Sequence, residues 1–299
     1  MTTRTVAVAG GRTVTLDDEG DPDGTPVVYL HGTPDSRLAR HPDDGLAAAA
    51  GVRLLAIDRP GYGGTSAPAG GWTPSWPAAV AVDVRAALDA LGVRDFGVLA
   101  WSGGALTGVA LAAAPGLAGR VTALGIVAGL VPRQAYDERD VRAAAEHRLG
   151  LMELADVVPP GELGPEVAPM LAPWPADLAL AAEHQAEHRD AAGRAELAAV
   201  PGGVEVMAAA LVEAVRPGLD GVAADVEAQA RPLRVDPAAI RCPVHLWYGS
   251  ADTVTPPAFG RWYAAWLPRA RLTVVDGAAH YLTFTAWSEM LRALAAPAA

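Results

Sequence analysis

The chain has 299 residues, a net charge of −11 and 51% hydrophobic residues, so it can bury a large core and offers no basic surface for nucleic acid. It contains no lysine and no asparagine, which excludes Schiff-base, pyridoxal-anchoring and Walker-type phosphate chemistry as well as N-glycosylation. Its one cysteine, Cys242, excludes a disulfide framework, a thiolate zinc site and a Cys-x-x-Cys pair; it reads as a small buried residue and fits a cytoplasmic protein.

The first residues, Met-Thr-Thr-Arg-Thr-Val, lack the apolar run of a secretory signal. Two β-rich runs over residues 3–8 and 13–17 predict an antiparallel pair. Residues 27–30 and 52–57 are short apolar runs. Each ends in a Gly/Pro-marked turn, His31-Gly32-Thr33-Pro34 and Asp58-Arg59-Pro60-Gly61-Tyr62-Gly63. Val80, Val84, Ala87 and Leu91 share one side of a helix predicted over about 77–91. A strand over 96–100, a helix from 103 to about 114 and a strand over 121–128 follow. The uncharged stretch 96–119 is 24 residues, long enough to cross a bilayer. Its glycines and Pro115 favour a buried strand, a tight turn and a buried helix instead.

After Pro132 the composition shifts to Ala- and Glu-rich helical sequence. Residues 132–236 hold 9 arginines against 19 acids, a charge of −10, so nearly all of the net charge lies there. The alternation then resumes with a strand over 244–248, a helix near 259–266, a strand over 272–275 and a closing helix from 285. Apolar strands alternating with helices predict a parallel sheet covered on both faces. The expected organisation is one α/β core, 1–131 and 237–299, interrupted by a helical insertion over 132–236.

The sharpest signal is Val98-Leu99-Ala100-Trp101-Ser102-Gly103-Gly104-Ala105. A serine between a strand and a helix, with small residues two places on either side, meets the steric demand of a nucleophile elbow. Ala100 stands where glycine is usual. A serine hydroxyl needs a base, and the base needs a group to orient it. Asp252, in the loop after the strand 244–248, and His280, past the strand 272–275, follow in the order Ser, Asp, His. Asp276 competes as the acid but precedes Gly277 and reads as a turn residue, while Asp252 could instead cap the helix after it.

With these motifs the chain resembles the α/β-hydrolase fold family, in the branch that carries a His-Gly-x-Pro loop and an Asp-Arg-Pro-Gly-Tyr-Gly turn. The likeness implies a mostly parallel eight-stranded sheet flanked by helices, with 132–236 as a helical cap that carries no motif of its own. It implies Ser102, Asp252 and His280 as the catalytic residues, and an oxyanion hole from the backbone N–H groups of Thr33 and Gly103. His31 is expected to tie neighbouring loops together or to contact substrate. Trp101 and Tyr281, beside the catalytic residues, are expected to line the pocket or to pack in the core.

Relatives that dehalogenate or open epoxides use aspartate where Ser102 stands, so an alkyl-enzyme mechanism is not expected. The implied reaction is acyl transfer to water on a small neutral ester, thioester or lactone, with no cofactor, no metal, and no nucleic-acid or membrane partner. The alternatives are a prolyl-aminopeptidase-like amide hydrolase, a non-hydrolytic acyltransferase, lyase or cyclase, and a ligand-binding protein on the same fold. The prolyl aminopeptidases have a glycine-rich loop where this chain has His31-Gly32-Thr33-Pro34-Asp35. The acidic insertion reads as a solvated lid, or as a charge that disfavours anionic substrates. His184-Gln185-Ala186-Glu187-His188 matches an inverted zinc-peptidase pattern, but in a crowded acidic context that argues against zinc.

Overall fold

The computed structural model describes residues 1–68, 71–72, 76–164, 166–167, 177–187 and 190–296, with the side chains of 76–79 and 184–187 outside the description. Eight strands form one sheet: β1 (Thr2–Val8), β2 (Arg12–Gly20), β3 (Thr25–Leu30), β4 (Val52–Ile57), β5 (Phe96–Trp101), β6 (Val121–Val127), β7 (Val244–Gly249) and β8 (Ala270–Val275). Their order is β1-β2-β4-β3-β5-β6-β7-β8. β2 pairs antiparallel with both β1 and β4, and all other neighbours are parallel. The chain leaves β3 toward β4 on one side and returns to β5 on the other. That reversal opens a crevice at the carboxyl ends of β3 and β5, where the loops after them face each other.

Burial follows position in the sheet. Every residue of the central β5 is buried. β8 has β7 as its one neighbour and is half exposed along its length, with Val274 44% accessible. β8 is therefore an edge strand. Helix α1 (Gly45–Ala49) is a single short turn with no sequence periodicity to announce it. α2 (Trp76–Ala90) buries Val80, Val84 and Ala87. α3 (Gly104–Ala113), which follows Ser102, is buried from Gly104 through Ala112, as a helix apolar all round must be.

Between β6 and β7 the described residues contain no strand. They form α4 (Arg139–Ala144), α5 (Leu149–Val157), α6 (Leu178–Glu187), α7 (Ala191–Ala198), α8 (Gly203–Val215) and α9 (Asp220–Gln229), with short 3-10 turns. Val141, Met152, Ala224 and Ala228 of this insert belong to the same buried cluster as Val98, Val109 and Ile126 of the core. Insert and core thus share one hydrophobic interior.

α10 (Pro257–Trp266) covers β7 and β8. A separate single turn, α11 (Leu282–Thr285), precedes the closing helix expected from 285, which is α12 (Trp287–Ala295). Ala286 between them leaves helical geometry, next to a Thr-Phe-Thr run of low helix propensity. α12 buries Trp287, Met290, Leu291 and Leu294, the spacing of one helix face. Each such side chain contributes about 1.5–3 kcal/mol of burial. Trp287 meets Tyr29 of β3 edge-on at 5.3 Å, fixing the end of the chain under the central strands. Among the described residues no single helix is long and apolar enough to cross a membrane, and 96–119 divides into β5, a turn and α3.

Candidate active site

Ser102 lies between β5 and α3 with φ of 52°, in the left-handed region that a residue with a Cβ seldom enters. Three backbone bonds hold it there. Its N–H donates to Val127 O at 3.0 Å, and its carbonyl accepts from Ala105 N at 3.1 Å and Leu130 N at 3.0 Å. The turn is too tight for side chains nearby. A Cβ at Gly104 would stand 2.5 Å from Leu30 O and 2.6 Å from His31 O. Ala100 is tolerated in place of glycine because the helix facing it carries Gly108, where a Cβ would come within 2.7 Å of the Ala100 Cβ.

His280 and Asp252 meet this serine in one chain of hydrogen bonds. Ser102 Oγ lies 3.1 Å from His280 Nε2, and His280 Nδ1 lies 3.0 Å from Asp252 Oδ2. All three residues are buried. Asp252 divides its oxygens. Oδ1 accepts the N–H groups of Val254 and Thr255, both at 2.8 Å, which shapes the loop. Oδ2 faces His280 and also accepts the Thr255 hydroxyl at 2.6 Å. Asp252 does not cap the helix after it, because α10 starts only after Pro256; Oδ1 braces the loop and Oδ2 meets the imidazole. Burial pushes the Asp252 carboxyl up. The charge of His280 and the hydrogen bonds outweigh it and hold the carboxyl below its ordinary value. Asp276 accepts from Ser250 Oγ at 3.1 Å on an exposed turn and takes no part in this chain.

Thr33 and Gly103 sit side by side at the crevice, since a Cβ at Gly103 would run into the Thr33 side chain. Among the described residues neither backbone amide has a hydrogen-bond acceptor. His31 is fully buried. Its Nε2 accepts Arg59 N–H at 3.0 Å and its Nδ1 donates to Gly32 O at 2.8 Å, so it ties the β3 and β4 loops together and has no ring nitrogen left for a ligand. Burial, reinforced by the Arg59 charge, keeps the ring neutral by lowering its pKa far below the usual value. Trp101 is buried too. Its Nε1 donates to His280 O at 3.1 Å and its ring packs 5.6 Å from both His280 and Tyr281. Trp101 and Tyr281 are both buried beside the histidine loop.

The family of proteins described as the alpha/beta hydrolase fold matches residues 25–286. The chain belongs to this family. An alpha/beta hydrolase fold protein from Nakamurella multipartita is 27% identical over 98% of this chain and 99% of its own, with a TM-score of 0.62. The esterase RhEst1 from Rhodococcus sp. ECU1013 is 21% identical, covering 99% and 98%, with a TM-score of 0.62. The enol-lactonase from Burkholderia xenovorans LB400 is 22% identical, covering 97% and 99%, with a TM-score of 0.63. The last two show the shared fold. No curated protein matches the sequence.

The sequence reading of this α/β-hydrolase missed what the insert contributes. Asp225 of α9 pairs with Arg59 at 2.7 Å and accepts the Tyr62 hydroxyl at 2.9 Å and the Thr33 hydroxyl. Arg59 also donates to Gly32 O at 2.7 Å and to Thr33 Oγ1 at 3.1 Å. Gln229, one turn after Asp225, donates to Thr33 Oγ1 at 3.0 Å and accepts from Arg148 at 3.1 Å. The side chain of Thr33 is thus held from the insert. Glu213 of α8 pairs with Arg37 at 2.6 Å. Several acids of the insert therefore face inward onto the core, which modifies the picture of a solvated lid. Thr255 could have been found from its spacing to Asp252; Asp225 and Gln229 left no local signal. Cys242 is buried, which pushes its thiol up to about 11 and leaves it neutral. The side chain of His184 and the whole of His188 lie outside the described residues.

Proposed function

We propose that this protein is a serine hydrolase that cleaves a small neutral ester, thioester or lactone without a cofactor. The observation that carries this reading is the continuous chain Ser102 Oγ, His280 Nε2, His280 Nδ1, Asp252 Oδ2 at 3.1 and 3.0 Å, mounted on a left-handed elbow. Ser102 Oγ attacks the substrate carbonyl while His280 Nε2 takes its proton. The tetrahedral oxyanion accepts the free N–H groups of Thr33 and Gly103, at the start of α3. His280 returns the proton to the departing alcohol or thiol. Water then repeats the sequence on the acyl-enzyme and frees Ser102. Asp252 holds the imidazole in the tautomer with hydrogen on Nδ1 and stabilises it when charged.

The insert, residues 132–236, acts as the cap over this site, a role supported by its hold on Thr33 through Asp225 and Gln229. A neutral substrate suits the −10 charge of that segment, and Asp225, already paired with Arg59, is not available to receive a substrate amine. The similarity in fold to proteins described as an esterase and an enol-lactonase is in keeping with ester or lactone chemistry.

The test is turnover of short p-nitrophenyl esters together with labelling by a fluorophosphonate. Wild type hydrolyses the esters and takes the label on Ser102, and Ser102→Ala does neither. Labelling that persists in the variant removes Ser102 from this role. Anionic esters are expected to show lower kcat/KM than neutral isosteres, by a margin that shrinks as salt is added. Equal values at low ionic strength overturn the preference for neutral substrates.

A further inference from the structure

One helix of the insert touches both of the loops that complete the serine. α7 starts at Asp190, whose Oδ1 accepts Gly193 N–H at 2.7 Å as the helix cap. Its Oδ2 accepts the Thr253 hydroxyl at 2.6 Å, immediately beside Asp252. Further along the same helix, Glu196 Oε1 accepts the N–H of Ala279 at 2.7 Å, and Oε2 accepts the N–H of Tyr281 at 2.7 Å. These are the amides on either side of His280. A single carboxylate therefore straddles the residue that carries the imidazole. Trp101 Nε1 donates to the carbonyl of His280 itself. Three consecutive residues of the histidine loop are held by side chains, while the ring is held separately by Asp252 and the Thr255 hydroxyl.

On the serine-hydrolase reading, we propose that Glu196 is a positioning residue for His280, and that α7 brackets the Asp252 and His280 loops so that both stay aligned with Ser102. The carboxylate suits this task because its two oxygens match two amide donors and both bonds are charge-assisted. No other acceptor type at this position serves both donors at once: a carboxamide presents one oxygen, and its NH2 group opposes the second N–H. Burial raises the Glu196 carboxyl above its ordinary value, against the two amide bonds that lower it. A plain anchor for the helix could be placed anywhere along the insert; this one spans the histidine.

Glu196→Gln and Glu196→Ala decide between positioning and anchoring, assayed in the full chain with a short p-nitrophenyl ester. Displacing a reacting group by a fraction of an ångström is costly, so kcat is expected to fall about tenfold in the glutamine variant and about a hundredfold in the alanine variant. KM stays within about twofold of wild type, because Glu196 touches no substrate. The downfield proton resonance of His280 Nδ1–H shifts or broadens in both. Glu213→Gln, which loosens the insert from Arg37 on another face, leaves kcat and that resonance in place. A Glu196→Gln variant with wild-type kcat and an unchanged resonance overturns the proposal, even if its Tm is lower. Should the alanine variant fail to fold, the glutamine variant, which keeps the volume, carries the decision. Ester turnover surviving in Ser102→Ala overturns instead the serine-hydrolase reading on which the proposal rests.

Discussion

In the core, Ser102, Thr33, Asp252 and His280 all stand between one and five residues past the end of a parallel strand. In the insert, Glu196, Asp225 and Gln229 project from helices toward partners far away in the chain, 192 positions for Thr33 and Asp225, 83 and 85 for Glu196 and its two amides. The two regions thus reach the same crevice by different routes. Core positions are set by local geometry, a strand that ends, a turn that follows, and glycines where no side chain fits. Insert positions are set by burial of polar groups that find partners only after the chain has folded.

Substitutions at four positions probe that contrast. The largest effect belongs to the core. Ser102→Ala is expected to lower kcat/KM by about a thousandfold or more. Asp252→Asn follows, with kcat at pH 7 down by about 10² to 10⁴ as the imidazole loses its orienting partner. It also has a pH signature. The folded Asp252 carboxyl lies below its unfolded value, so its ionised form stabilises the native state above the unfolded pKa and that contribution is lost as pH falls through the folded pKa. The stability gap between wild type and Asp252→Asn, measured by urea unfolding, narrows on acidification. A gap that widens contradicts the assignment.

The third substitution tests whether the insert is separable. Asp225→Ala strips the carboxylate from Arg59, a guanidinium with no exposed side-chain surface, and is expected to cost about 3–5 kcal/mol in denaturant unfolding. Asp225→Asn, which can still hydrogen-bond, costs less. An alanine variant as stable as wild type would make the insert an independent lid and erase the contrast. The smallest effect is expected at the outer face of the insert. Arg133 pairs with Asp137 and Asp156, whose side chains are 73% and 53% exposed. Arg133→Ala is expected to change stability by less than about 0.5 kcal/mol, within the range of solvent-screened pairs.

The same contrast explains what the sequence disclosed. Alternating apolar strands and turns marked all eight strands of the sheet, and Ser102, Asp252 and His280 were legible because each elbow or loop needs particular residue types at short range. Ala100 was legible as a departure but not as a fit, because Gly108 is noticed as its partner only when strand and helix are in contact. Asp225, Gln229 and Glu196 were hidden in an Ala- and Glu-rich background where nothing distinguishes an inward acid from an outward one. Composition gives the charge of Asp225 and Glu196 but not the direction in which it faces. The short α11 before Ala286 was not marked either, since its Thr-Phe-Thr run has low helix propensity.

The Ala100 and Gly108 pair has a consequence for engineering around Ser102. Between β5 and α3 there is room for one methyl group, and the two positions share it. Gly108→Ala alone is expected to be harmful, yet the same change in an Ala100→Gly background moves the methyl across the interface and is tolerated. The two substitutions are epistatic, and a single-site scan would label Gly108 intolerant when the constraint belongs to the pair. An elbow of this type is defined by the volume two elements hold in common, so a search pattern that demands glycine before the serine overlooks chains in which the helix yields the space instead.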